Sequence, residues 1–397
     1  MGGSIIFVRI MQRLLAVWMV ALFVVNPLKP VLTHSQYLSP KSFVLEKISE
    51  KSTQAQEEKE KIIKGIITTV LIAIIVGAVP YFVKVLSHQG HNQFHIIASY
   101  YFYNTLIVFL FDRYLSFGEK RSNKKVKNLS SEKKRFFESV LFLVLTEIIV
   151  GKILAVPGKI IAISYSDGIT PDAIVRMAPL ILVFLAVPTL KEKLSLKKFL
   201  GVLLILIGVI SLVLVKKSGV MGETTLIGTV IAVLATFCYV ISDIVNKKIM
   251  QTEEISERKF LLYAFGAGFV FYSLLSFLGG HSLFPIFSIH VIFISLCTMS
   301  GAFGKLFGMK YLEATLVRSI LSTSPLFTLL WIALLNQELP RPFGFLVIAL
   351  SLISVGLYLV VSQHNQDMKQ LKKEKNREEK NQAPVFLSQM TTINCSL

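Results

Sequence analysis

One stretch of this chain occurs twice, 146 residues apart and without a gap. Each copy carries a Gly-Lys pair, a Tyr, a Pro and a Glu at the same spacing, within strongly apolar sequence. The first copy comprises Gly158, Lys159, Tyr165, Pro179 and Glu192, and the second comprises Gly304, Lys305, Tyr311, Pro325 and Glu338. Ancestral duplication explains such a match. The repeat therefore predicts a fold made of two related halves.

The composition indicates a membrane protein. Of the 397 residues, 53% are hydrophobic and 17% are charged, whereas a typical soluble domain carries about 25% charged residues. The net charge is +18. The Lys and Arg residues lie mostly between apolar runs and in the C-terminal tail, which is typical of membrane topology and argues against a nucleic-acid partner. The lipid bilayer is the expected surrounding.

Ten apolar runs are close to the length of about 20 residues that a membrane-spanning helix needs. We expect all-α spans at 63–86, 94–114, 137–163, 171–190, 199–215, 224–246, 260–280, 287–309, 313–336 and 343–362. The repeat covers the end of the third span and the fourth, and its copy covers the end of the eighth and the ninth. Each half thus has five spans, and an odd number predicts an inverted repeat.

The predicted domain boundaries follow from these spans. They are 1–61 for an N-terminal apolar segment and polar linker, 62–216 and 223–362 for the two five-helix repeats, and 363–397 for a polar tail. The apolar run 14–25 follows two arginines and is too short to span alone. A retained interfacial or extra helix, a cleaved targeting segment and a misplaced start codon all remain open for it.

Loop charges predict the orientation of the ten spans. One alternating set of loops carries 18 Lys and Arg residues, and the other set carries three. Because basic loops stay on the cytoplasmic side, both ends of the ten-helix unit are expected in the cytoplasm, and a bacterial chain would lie in the inner membrane.

Two proline motifs are similar to those of a known family. Ala178-Pro179-Leu180 precedes a loop containing Glu192, and Ser324-Pro325-Leu326 precedes one containing Glu338. The next helices begin with Phe199-Leu200-Gly201 and Phe343-Gly344. In this order and spacing the motifs resemble the EamA-type branch of the drug/metabolite transporter superfamily over about 63–362. The resemblance implies two five-helix repeats and a secondary transporter.

Several charged residues fall inside the predicted spans, where each costs about 2.5–3.5 kcal/mol at the bilayer centre. Such residues usually face a bundle interior or water and are candidates for function. We expect substrate-binding residues at Lys159, Lys305, Arg176, Glu147, Lys152 and Asp243. Inversion predicts Lys159 towards the outer mouth of one path and Lys305 towards the inner mouth. Pairing of each lysine with a resident acid is the alternative.

Further charged residues and two prolines inside the predicted spans also have functional or structural interpretations. Glu147 precedes Lys152 by five residues, about 140° around an α-helix, so the two are not expected to pair closely. Glu147 could carry a coupling proton or belong to an internal ion pair. Arg318 is expected to be an inner-end anchor of its span. Pro179 and Pro325 each loosen their helix one turn earlier, which provides either a hinge or a packing kink.

Because the cations outnumber the acids, the sequence favours a small polar metabolite that bears a carboxylate, amino acid-like or otherwise, moved by alternating access. A non-transporting receptor or scaffold on the same fold is the alternative, and an integral-membrane lipid transferase is a further one. The chain has no Walker loop, G-x-S-x-G or H-E-x-x-H motif, so no enzyme activity, cofactor or metal is predicted.

Overall fold

The computed structural model describes residues 60–119, 140–166, 169–192, 195–214, 225–252, 255–336, 347–367 and 370. The predicted N-terminal segment, Glu338 and almost all of the tail lie outside these ranges. The described residues form helices joined by turns and contain no strand.

Ten helices account for most of the described chain. They are α1 (60–76 and Val79–His88), α2 (Gln93–Glu119), α3 (Val140–Ser164), α4 (Ile169–Val175 and Ala178–Leu190), α5 (Leu196–Leu214), α6 (Leu226–Thr252), α7 (Glu257–Leu278), α8 (Ile289–Tyr311), α9 (Ala314–Leu321 and Ser324–Asn336) and α10 (Val347–Asp367).

The helices have the length and surface of membrane spans. Within the described ranges, nine are long and apolar enough to cross a bilayer. The other, α5, has 19 residues and measures about 28 Å at 1.5 Å per residue, close to the hydrocarbon thickness of about 30 Å. Large apolar side chains such as Phe142 and Tyr358 are exposed on the outside of the bundle, where lipid would surround them. The prediction of ten transmembrane helices is confirmed.

Within the described ranges, three helices are interrupted by a two-residue turn. The turns are at 77–78 in α1, 176–177 in α4 and 322–323 in α9. Pro80, Pro179 and Pro325 each lie in the first turn of the segment that follows. A helix needs no N–H at that position, so proline is tolerated there. The prolines thus begin new segments, and each break lies two to three residues before its proline, which agrees with the expectation that Pro179 and Pro325 loosen their helices about one turn earlier.

Helix α3 contains a wider stretch of π-helix at Glu147–Ala155. In this stretch the main chain bonds from residue i to i+5, so side chains five apart come onto one face. Gly151 lies at its centre, and a Cβ built there would come within 2.3 Å of Glu147 Oε1. Glycine therefore leaves the room in which the Glu147 carboxylate lies across the helix.

The packing shows that the two repeats are inverted. The breaks in the equivalent helices α4 and α9 touch, because the Ser322 hydroxyl donates to the carbonyl of Arg176 at 2.8 Å. The end of α4 reaches the start of α9, where Glu192 accepts a hydrogen bond from the backbone N–H of Ala314 at 2.8 Å. Because their breaks meet and the end of α4 lies at the start of α9, these two helices run antiparallel.

Two further pairs of residues play matching parts in the two halves. The Lys84 ammonium donates to the carbonyl of Ser166 after α3 at 2.6 Å, and the Lys247 ammonium donates to that of Leu312 after α8 at 2.8 Å. Positive charge at a helix C-terminus is favourable. The acceptors are 146 residues apart, as the repeat predicts. The lysines are 163 apart, because the connection between α2 and α3 is longer than the equivalent connection between α7 and α8.

Candidate functional site

A cavity of about 130 Å³ lies between the two halves, in the middle of the bundle. Helices α1 to α4 of the first half and α6 to α9 of the second contribute to its wall. Five basic residues line it: Lys152, Lys159, Arg176, Lys305 and Arg318. The three helix breaks in α1, α4 and α9 also adjoin it, through Val76 and Val79, Val175 and Arg176, and Leu321.

The first half supplies one cluster of charges, which we call the first cluster. It consists of Lys159 on α3 with Asp172 and Arg176 on α4. Asp172 is completely buried and pairs with the Lys159 ammonium and, at 3.4 Å, with Nη2 of Arg176. The two α4 residues are four apart, so they lie on one helix face. One carboxylate is thus shared by two cations.

The second half supplies a corresponding set, the second cluster. Asp243 on α6 pairs with Lys305 Nζ on α8 at 2.5 Å and with Arg318 Nε on α9 at 3.4 Å. The Arg318 guanidinium lies 4.7 Å from the centre of the Tyr239 ring, in a cation–π contact. Its Nη2 donates to the carbonyl of Val175 at 3.2 Å, at the break in α4. This bond connects the two clusters across the interface between the halves.

The third charged pair lies on α3 alone. Lys152 Nζ is 3.7 Å from Glu147 Oε1, so the expectation that these residues would not pair was wrong. The π-helical stretch is the reason, because its wider turn brings residues five apart onto the same face. Asn246 Nδ2 also donates to Glu147 Oε1 at 3.2 Å, and Lys152 stands 5.1 Å from the centre of the Phe265 ring.

The basic groups face the cavity and the acids lie behind them. The five basic side chains retain 3–14% of their exposure, whereas those of Asp172, Asp243 and Glu147 retain at most 1%. None of the three acids is among the residues that line the cavity. Its surface is therefore positive, and the five cations exceed the three carboxylates by two.

The structure departs from the sequence expectations in three ways. Lys159 and Lys305 line one cavity rather than the opposite mouths of one path. The alternative stated for them, pairing with a resident acid, agrees with the structure, because each contacts an aspartate. Arg318 is not an anchor at a helix end, because it is 2% exposed and contacts the second cluster's aspartate. Asp172 and Tyr239 were missed as site residues. The available signal was that Asp172 occupies the repeat position of Arg318, so opposite charges replace each other there.

A separate ionic network joins the halves away from the cavity. Glu192 accepts hydrogen bonds from Ala314 N and Thr315 Oγ1, so it caps α9 of the opposite half. Lys198 Nζ lies 3.5 Å from Glu192 and 2.6 Å from Glu313, and His364 Nδ1 lies 3.6 Å from Glu313. Burial opposes ionisation of Glu313, but its contacts with His364 and Lys198 outweigh burial and lower its pKa from 4.5 to about 2.

In the part of the chain that the structure describes, no group of three or more His, Cys, Asp or Glu residues could hold a metal ion. His95 contacts the main-chain carbonyl of Phe284 through Nε2 at 2.8 Å. Its ring also stacks on His281, with 6.3 Å between ring centroids.

Comparison with known proteins agrees with the fold. The sequence pattern of the EamA-like transporter family matches residues 63–214 and 226–360, which contain most of α1–α5 and most of α6–α10. No curated protein matches the chain. Among solved structures, 29 chains match. One, titled only "Crystal structure of protein", is 16% identical with a TM-score of 0.57 and covers 75% of this chain and 96% of its own. At that identity the likeness shows the fold alone.

Proposed function

Because the chain belongs to the EamA-like transporter family and is thus a multi-pass membrane transporter for a small-molecule substrate, we propose that its central cavity binds a carboxylate-bearing metabolite. The observation that carries this proposal is the positive wall of the cavity, with its carboxylates buried behind five cations. Buried positive charge without full compensation is costly, so an anionic group in the cavity relieves that cost.

Alternating access is the mechanism that the fold supports best. Inverted repeats with interrupted helices near the substrate site are typical of secondary transporters, where one half rocks against the other. Here the breaks before Pro179 and Pro325 meet beside the cavity. We propose that they act as hinges, because a two-residue turn absorbs backbone rotation more readily than a continuous helix.

Glu147 is the acid that we propose to carry a coupling proton. Its Oε2 atom is buried and has no hydrogen-bond partner among the described residues. Its nearest cation is 3.7 Å away, whereas Asp172 and Asp243 each contact two cations. Protonation of Glu147 therefore breaks the fewest ionic contacts. Glu147→Gln should abolish the dependence of uptake on an imposed pH gradient, while Glu257→Gln, near the surface, should leave it unchanged.

We propose that both ends of the ten-helix unit lie in the cytoplasm. In a bacterium, the protein would lie in the inner membrane. This orientation rests on the excess of Lys and Arg in one alternating set of loops.

The test of substrate class uses purified protein in vesicles and two matched substitutions. Lys159→Met and Lys305→Met should each weaken binding of a carboxylate by about 1.5–3 kcal/mol, the scale of hydrogen bonds to charged groups. Lys310→Met is the control, because that lysine lies on the same helix as Lys305 but at its more exposed end. Affinity should be measured from both sides of the membrane. Binding without transport would indicate a receptor, and unchanged affinity in the double variant would make both lysines structural.

A further inference from the structure

We infer that the substrate is a small dianion, with one anionic group held by the first cluster and the other by the second. This inference rests on the proposed function and narrows it. A carboxylate-bearing solute could be a monoanion or an amino acid with an ammonium group. The distribution of charge between the two clusters selects against both.

The net charge is counted separately for the cluster in each half of the protein. Each cluster has two cations on one aspartate, so each has an excess of one positive charge. The Glu147–Lys152 pair is balanced. Since the four basic side chains retain only 3–14% of their exposure, water compensates little of the excess. A dianion neutralises both clusters, whereas a monoanion leaves one uncompensated.

Removal of either lysine would leave its cluster neutral. Each aspartate contacts one lysine and one arginine, and the arginine, 3.4 Å from the carboxylate in both clusters, remains charged at all relevant pH values. Without Lys159 or Lys305, the aspartate would therefore balance the arginine alone. These two lysines occupy equivalent repeat positions and line the same cavity from α3 and α8. Their symmetry predicts two similar anion contacts, one contributed by each half.

The cavity also limits the size of the solute. Its volume of about 130 Å³ is close to that of the engineered cavity of about 150 Å³ that binds benzene. The wall between the charged groups is apolar and includes Val156 and Ile160. A short carbon chain with a charged group at each end matches this arrangement. An ammonium group would add a sixth cation to the five already present.

Three probes of one chain length test the inference. Succinate, butyrate and 4-aminobutyrate share four carbons and differ at one end, which is a carboxylate, a methyl or an ammonium group. Binding to the purified full-length chain should follow the order succinate, butyrate, 4-aminobutyrate. Succinate should bind about 10- to 150-fold more tightly than butyrate, the fold-change for one hydrogen-bonded charge. Glycerol 3-phosphate, in a parallel arm, carries both charges on a single phosphate, so tighter binding of it than of succinate would overturn the placement of one anionic group at each cluster.

The variants distinguish this inference from the proposed function. Lys159→Met or Lys305→Met should remove the preference for succinate over butyrate, because only one cluster still needs compensation. Lys310→Met should preserve the preference. Equal binding of butyrate and succinate by the unaltered protein would overturn the inference of a dianionic substrate. It would leave the proposal of a carboxylate transporter standing. Failure of every anion to bind or be transported would overturn the proposed function itself.

Discussion

The hydroxyl of Ser322 donates a hydrogen bond to the main-chain carbonyl of Arg176 at 2.8 Å, and these residues hold equivalent positions 146 apart in the two repeats. Positions that contact their own equivalents lie on the axis that relates the halves. The side chains there differ because two arginines facing each other would repel. The site on this axis is therefore symmetric in its backbone, whereas the repeat positions that carry the charged side chains differ between the halves.

Replacement of Ser322 by alanine tests this contact. The Ser322 hydroxyl also bonds within its own helix, to the Arg318 carbonyl at 2.9 Å. Ser319→Ala is the matched control, because the Ser319 hydroxyl donates to the Thr315 carbonyl of its own helix at 2.8 Å. We expect Ser322→Ala to lower the free energy of unfolding by about 1 kcal/mol more than the control. Equal thermal shifts in detergent would contradict the cross-repeat role.

The duplicated glycines should differ in their tolerance of a methyl group. A Cβ at Gly304 would lie 1.4 Å from Ile72 Cδ1 on α1, and one at Gly158 would lie 3.2 Å from Ala235 Cβ on α6. Gly304→Ala should destabilise the protein by about 1–3 kcal/mol through overpacking, and Gly158→Ala by less. Addition of Ile72→Ala should rescue part of the loss at Gly304. Thermal unfolding checks both, and lack of rescue would locate the strain elsewhere.

Gly151→Ala should disturb Glu147 without unfolding the protein. The added Cβ would lie 2.3 Å from Glu147 Oε1, so the carboxylate must leave its place beside Asn246. Gly266→Ala is the control, because its nearest neighbour would be 3.9 Å away, on Thr105. Uptake under an imposed pH gradient should fall for Gly151→Ala and remain for Gly266→Ala. A Gly151→Ala variant with unaltered pH dependence would argue against Glu147 as proton carrier.

The pKa of Glu313 predicts an acid dependence of stability. Because folding lowers that pKa from 4.5 to about 2, the ionised carboxylate stabilises the folded state. The stabilisation is complete above pH 4.5 and is lost as the pH falls towards 2, and its upper scale is about 3 kcal/mol. The difference in melting temperature between the unaltered protein and Glu313→Gln should shrink between pH 4.5 and pH 3. A constant difference would show that the Glu313 charge contributes nothing.

Cysteine labelling should establish the orientation of the helices. In a background without Cys238, Cys297 and Cys395, a cysteine at Gln89 or Leu283 should react with an impermeant reagent added outside intact cells. A cysteine at Gln251 should react only after permeabilisation. All three positions are exposed. Gln89 follows α1 and Leu283 follows α7, on the side of the membrane whose loops carry few Lys and Arg residues. Labelling of Gln251 from outside would reverse the orientation.

The sequence by itself determined the membrane class, the ten helices, the inverted repeat and most of the charged site residues. Hydrophobic length and a long, gapless repeat are properties of contiguous residues, so they can be read from the chain. The unusual cost of charge inside an apolar span also marked Lys159, Lys305 and Asp243 before any contact was known.

Only the tertiary structure decided which charges share a site. Lys159 meets Asp172 and Lys305 meets Asp243 because separate helices bring them together, and no spacing in the sequence encodes those contacts. The pairing of Glu147 with Lys152 depends on a π-helical turn, which local sequence does not specify. The positive sign of the cavity is likewise tertiary, because burial behind neighbouring helices, rather than composition, keeps the carboxylates away from its surface.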